Sequence, residues 1–167
     1  MCVETSCKDD KYNCIAWALG FNHVRLWPDH VAATFVWPRP KPAVVTVQEF
    51  TDVFALFGYE LDRLGFEQGY EKIALYLVDG EPEHAARQNA ITGQWTAKLG
   101  GGVDILQDHL RDFPFYDPYY GCSYYGDPIH YYKRKASAKY PTFEAIAECH
   151  GVWPLPPRIL STYEAAS

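Results

Sequence analysis

Lys72-Ile73-Ala74-Leu75-Tyr76-Leu77-Val78, then Asp79-Gly80, then Glu83-His84-Ala85-Ala86-Arg87-Gln88, decides the fold class. The first run is apolar and lacks Gly and Pro, as a buried strand requires. Asp-Gly supplies the positive φ angles of a two-residue hairpin turn, so the second run returns antiparallel to the first. A turn near Thr92-Gly93 opens a third strand over Gln94–Leu99. Ile129–Lys133 reads as a final strand.

Helices flank this meander. Asn13 is placed to cap a helix over Cys14–Leu19, with Gly20 as its stop. Thr46-Val47-Gln48-Glu49 reads as a capping box opening an amphipathic helix through Phe50, Val53, Phe54 and Phe57, ended by Gly58. Between them, Trp27-Pro28, Trp37-Pro38, Pro40 and Pro42 forbid regular helix and predict an extended aromatic flap. After Gly100-Gly101-Gly102 the pattern predicts a short helix over Val103–Asp112, and Thr142–Cys149 predicts another. Residues 1–12 are polar and charged and read as a mobile arm. The fold class is α+β: an N-terminal helix carrying a cysteine, packed on an antiparallel sheet of four or five strands. The 167 residues read as one domain. Its core is about residues 10–135, and 136–167 form a helical, Pro-rich extension.

Composition narrows the function. Hydrophobic residues are 48% and charged residues 22%, enough for an ordinary core, and the net charge of −6 opposes binding through phosphate neutralisation. No nucleic-acid partner is expected. No apolar run is long enough to span a bilayer, and the N-terminus lacks the pattern of a secretory signal. The five cysteines, an odd number irregularly spaced, fit reduced thiols better than a disulfide framework. A cytoplasmic location is expected, with secretion by a signal-independent route, as in some bacterial effectors, left open. Cys2, Cys7, Cys14, His23 and His30 miss the ligand spacing of structural zinc sites, and no metal is expected. Gly100-Gly101-Gly102 lacks the Lys-Ser/Thr of a phosphate loop, and no cofactor is expected.

The candidate chemistry rests on Cys14 and His84. A thiol in the first turn of a helix meets unpaired backbone N–H groups that favour the thiolate, and a neighbouring imidazole would complete the ion pair. Cys14 is the candidate nucleophile and His84 the base, with faster alkylation of Cys14 than of Cys122 or Cys149 as the expected sign. A third group should hold the imidazole. Asp104 is the candidate for it, equally readable as a helix cap, with Gln88, on the same strand face as His84, and Gln94 as alternatives. The N–H of Cys14, assisted by the Asn13 amide, would form the oxyanion hole. Trp95 and the tyrosines of segment 115–132 would wall a substrate groove, unless those tyrosines simply pack a long loop.

The order of a helix with Cys, a strand with His-Ala and a strand with Trp resembles papain-like and transglutaminase-like cysteine enzymes, over Asn13–Gly20 and Ile73–Asp104. It departs after Trp95, where Thr96, Ala97, Lys98 and Leu99 supply no acid. Asn13–Ala18, Lys72–Tyr76, His84–Gln88, Trp95–Gly100 and Asp104-Ile105 also resemble a small, mostly bacterial domain family without assigned function, over about residues 10–135. The enzyme resemblance implies thiol-dependent acyl transfer on an amide bond of a peptide or protein: a peptidase, amidase, deamidase or transglutaminase. The other expectation is a catalytically inactive papain-like module that binds a peptide or protein. Neither implies a membrane partner, and the oligomeric state is not legible.

Overall fold

Asp79 and Gly80 both take positive φ, 49° and 86°, and the hairpin they close joins β3 (Tyr70–Val78) to β4 (Glu81–Gln88). The computed structural model describes residues 2–30, 34–111 and 125–153. Around the hairpin are β1 (Cys2–Glu4), β2 (Glu60–Asp62), β5 (Trp95–Lys98), β6 (Asp104–Gln107) and β7 (Asp127–Lys135). They form one seven-stranded sheet in the order β1-β6-β5-β4-β3-β7-β2, antiparallel at every pairing. The fold is therefore mixed α and β, as expected, with more strands than expected.

Three corrections follow. The N-terminal arm is held, because Cys2–Glu4 pairs with β6 and the Thr5 N–H donates to the Asp104 carbonyl at 2.8 Å. The helix expected over Val103–Asp112 is in part strand β6. Gly100 takes φ 56° in a tight turn, and the Leu99 N–H bonds the Val103 carbonyl, so the chain folds straight back along β5. Short β2 had no local signal at all.

The helices form as expected. In α1 (Cys14–Leu19) the Asn13 side chain accepts the Ala16 N–H, and Gly20 at φ 90° closes the C-terminus. In α2 (Val47–Leu56) Thr46 accepts the Glu49 N–H. Glu49 does not complete the reciprocal half of the capping box. It accepts instead from Trp37 Nε1 at 2.6 Å and Arg39 Nε at 2.9 Å, which ties the Trp/Pro flap to the helix. The third helix, α3 (Phe143–Cys149), is capped by Thr142 and packs Phe143 against Phe21 and Trp153.

Both sheet faces are covered. On the helix side, Ile73, Leu75, Ala85 and Tyr132 meet Ile15 and Leu19 of α1 and Phe50, Val53 and Phe54 of α2. Each fully buried large apolar side chain there contributes about 1.5–3 kcal/mol. The outer side carries Ala74, Tyr76, Ala86, Trp95, Ala97 and Ile105 under Leu110. Its centre is a row of three alanines in register, Ala74, Ala86 and Ala97. Small side chains there let the chain after β6 lie close, and Tyr76 Oη donates to the Leu110 carbonyl at 2.6 Å.

Candidate functional site

The side chains of β4 alternate between the two faces, and that alternation divides the expected site. Ala85 packs with Cys14 and Leu75 on the helix side, whereas Ala86 belongs to the outer cluster. His84 pairs with Tyr76 on the outer side, its ring 5.2 Å from the Tyr76 ring and 4.6 Å from that of Tyr125. Cys14 and His84 therefore lie on opposite faces, although the Ala85 N–H that donates toward the Cys14 sulfur belongs to the very next residue. Of the other expected residues, Asn13 and Asp104 lie with Cys14, while Gln88 and Trp95 share the face of His84.

Burial sets the protonation of both central groups. It pushes the Cys14 thiol up to about 11, against the backbone N–H groups of Ala85, Ile15 and Cys14 that pull it down. It pushes the fully buried His84 imidazole down to about 3. At neutral pH the pair is thiol and neutral imidazole rather than thiolate and imidazolium.

Asn13 is engaged in structure. Its Oδ1 accepts from Ala16 N at 3.3 Å and Leu26 N at 2.9 Å, and its Nδ2 donates to the Leu26 carbonyl at 2.8 Å. That clamp occupies one of the two amide N–H groups and the amide oxygen. Asp104 sits on β6, not at a helix start, and cannot orient the imidazole from the helix side. It accepts from Tyr12 Oη at 3.0 and 2.9 Å, and Lys98 Nζ lies 3.9 Å away.

Lys98 and Tyr12 were not anticipated. Lys98 is fully buried, with its ammonium 4.4 Å from the centre of the Tyr12 ring and bonded to the Gly102 carbonyl. Burial pulls its pKa down, against Asp104, Asp9 and Asp10. Tyr12 stacks on Trp17, and Trp17 Nε1 donates to Thr96 Oγ1 at 3.1 Å. The usable signal was alternation in Trp95-Thr96-Ala97-Lys98: with Trp95 and Ala97 facing outward, Lys98 must point beneath α1.

On the outer face, Gln88 Nε2 donates to the Gly93 carbonyl at 2.9 Å, and Gln88 pairs with Trp95. Trp95, Tyr131, Leu64, Leu110 and Pro128 wall a groove of about 350 Å³, together with Asp108, His109 and Arg111. Leu64 is 60% exposed beside it. Of the tyrosines assigned to a groove, Tyr131 lines this one, Tyr125 meets His84, and Tyr132 is buried on the helix side. Tyr116, Tyr119, Tyr120, Tyr124 and Cys122 lie outside the described residues.

Among the described residues no group of His, Cys, Asp and Glu is placed to hold a metal ion, and no helix is long and apolar enough to cross a membrane. A family model described as a domain of unknown function (DUF7689) matches residues 3–133, from β1 into β7. No curated protein and no solved structure matches the chain.

Proposed function

Because the chain belongs to this domain family of unknown function, its role is read from its own geometry, and we propose that it is a peptide- or protein-binding module that uses the groove on the outer face of the sheet. The observation that carries this reading is the division of Cys14 and His84 between opposite faces. With the thiol protonated and the imidazole neutral on the far side, the resting arrangement supplies no general base to the sulfur. The groove, by contrast, suits recognition. Trp95 and Tyr131 offer rigid aromatic walls, Leu64 and Pro128 add apolar surface, and Asp108 and Arg111 add charge for orientation. Selection from a displayed peptide library, followed by calorimetry, tests the reading. Selected peptides should lose at least tenfold in affinity for Trp95→Ala and Tyr131→Ala. An unselective wild type, or equal binding by the variants, removes the proposal.

A second reading is favoured by one feature of Cys14. The backbone N–H groups of Ala85, Ile15 and Cys14 donate toward its sulfur, and the residue before Ala85 is the candidate base. In a papain-like arrangement this would serve thiol-dependent acyl transfer on an amide bond, by hydrolysis, deamidation or amine transfer. Ammonia or amine release from peptide substrates, abolished in Cys14→Ala, tests it.

A further inference from the structure

The outer groove lies across the strands. Trp95 on β5 and Tyr131 on β7 both line it, with β4 and β3 between them. Three strand spacings separate the two residues, about 14 Å between strand axes. Ala74 and Ala86, in register with Tyr131, face the same side in between and add little bulk. Leu64, 60% exposed, and Pro128 supply apolar walls. Asp108 and Arg111 are exposed at the rim, and Arg111 is bonded to Asp127. Those three side chains carry one more negative charge than positive. Such a groove suits an extended apolar segment that carries a positive charge.

Trp153-Pro154-Leu155-Pro156-Pro157-Arg158 has that chemistry. Residues 154–158 lie outside the described residues, and outside the stretch 3–133 that matches the family model. We propose that this segment of one molecule docks, as a polyproline II helix, in the outer groove of a second copy. Proline-rich runs favour that helix, which has three residues per turn and binds aromatic-lined grooves at low ordering cost. Pro154 and Pro157 then share one face about 9 Å apart, a span that fits between the Trp95 and Tyr131 walls. Leu155 and Arg158 share the next face, the first for Leu64 and the second for Asp108. The donor is a second copy because Trp153 packs edge-on against Phe143, at 5.5 Å, with the helix-side core. Pro154 follows it directly, so a molecule's own segment leaves from the face opposite its groove. Docking in a second copy needs no passage round the sheet. The contact is head-to-tail and leaves a groove and a segment unused at its two ends, so association continues past the dimer unless it closes a ring. This inference rests on the groove reading above and names the occupant.

Sedimentation velocity of the full chain, from dilute to concentrated solution, tests the docking. The wild type should associate beyond the dimer as concentration rises, and a variant lacking residues 154–167 should stay monomeric. Arg158→Glu and Asp108→Arg should each weaken association by about tenfold, as loss of one charge-assisted contact does. Mixing those two variants should restore it, because Arg158 of one chain still meets Asp108 of the other. Leu64→Arg, at a side chain already exposed, should weaken association as much while leaving the melting temperature unchanged. A wild type that is monomeric at every concentration, or association that survives the truncation, overturns the proposal. So does a monomer whose Trp95 and Tyr131 NMR signals move on truncation, since the segment would then fill its own groove. Association lost on truncation but indifferent to Leu64→Arg and Asp108→Arg places the segment elsewhere and overturns it too. The groove reading fails separately, through the selected peptides: their binding to a chain that does not self-associate keeps the groove and discards this occupant.

Discussion

Cys14 packs with Ala85 on the helix side of the sheet, while the ring of His84, one residue before Ala85 in the same strand, lies against Tyr76 on the other side. One peptide unit along β4 separates Ala85, the neighbour of Cys14, from His84, and the sheet separates the Cys14 and His84 side chains. Much of what can be measured on this protein follows from that relationship.

Cys14 should be slow to alkylate. Burial holds its thiol at about 11, so at pH 7 about one molecule in ten thousand carries the thiolate that reacts. Cys7 and Cys149 are exposed and should be modified first by iodoacetamide in a time course followed by mass spectrometry. The Cys14 rate should climb as pH rises toward 11. Modification of Cys14 as fast as Cys7 at pH 7 would mean that an activated thiolate exists in the native ensemble.

His84 should make the fold acid-sensitive in a window of its own. Its folded pKa of about 3 lies below the ordinary 6.5, so the unfolded chain binds the proton more readily. The stability it contributes is complete above pH 6.5 and is lost as pH falls toward 3, at about 1.4 kcal/mol per pH unit. Glu49, Asp62 and Glu71 are held below the usual carboxylate range by Arg39, Lys72 and the Arg87–Arg134 pair, against the opposing pull of burial. Their contribution drains only below about pH 4.5. Melting temperature between pH 6.5 and 4.5 should therefore fall for the wild type and stay level for His84→Phe. A parallel fall in both would show that the ring is hydrated in the folded protein.

The strands were legible where local chemistry speaks. Asp79-Gly80 announced the β3–β4 hairpin, and Thr46 announced α2. β1 and β6 were missed because three or four residues carry no period of their own, and these two strands exist mainly through pairing with each other and with β5. The facing of the site residues was not legible for a subtler reason. His84 was correctly placed on a strand, but Ala85 and Ala86 are both small and apolar, so nothing local says which of them faces the helix. The extra residue at Glu83, between the pairs Pro82–Leu77 and His84–Tyr76, is a property of the pairing with β3 and leaves no mark in the pattern of β4.

Asn13 is a clamp, and its loss should register as stability. The side chain joins the start of α1 to both backbone groups of Leu26 through buried hydrogen bonds. Asn13→Ala should cost about 2–3 kcal/mol in urea denaturation at unchanged m. Asn13→Asp keeps the acceptor and loses the donor, so it should fall between. An Asn13→Ala variant of wild-type stability would remove the clamp.

Tyr12, Lys98 and Asp104 should behave as one coupled unit. Tyr12 Oη bonds both carboxylate oxygens of Asp104, and the Lys98 ammonium lies on the Tyr12 ring with Asp104 3.9 Å away. Removing the carboxylate leaves a fully buried ammonium without its nearest counter-charge, so Asp104→Ala should destabilise by about 3–5 kcal/mol, as expected when one partner of a buried pair is deleted. Loss of a helix cap, the other role expected of Asp104, would cost nearer 1 kcal/mol. Tyr12→Phe removes only the hydroxyl and should cost about 1–2 kcal/mol. Because both changes break the same bonds, the double variant Tyr12→Phe/Asp104→Ala should be less destabilised than the sum of the singles, by at least about 0.5 kcal/mol. Additive losses in denaturant titrations would show that Tyr12 and Asp104 act independently, and the cluster would then not be the latch that holds the N-terminal segment against β5 and β6.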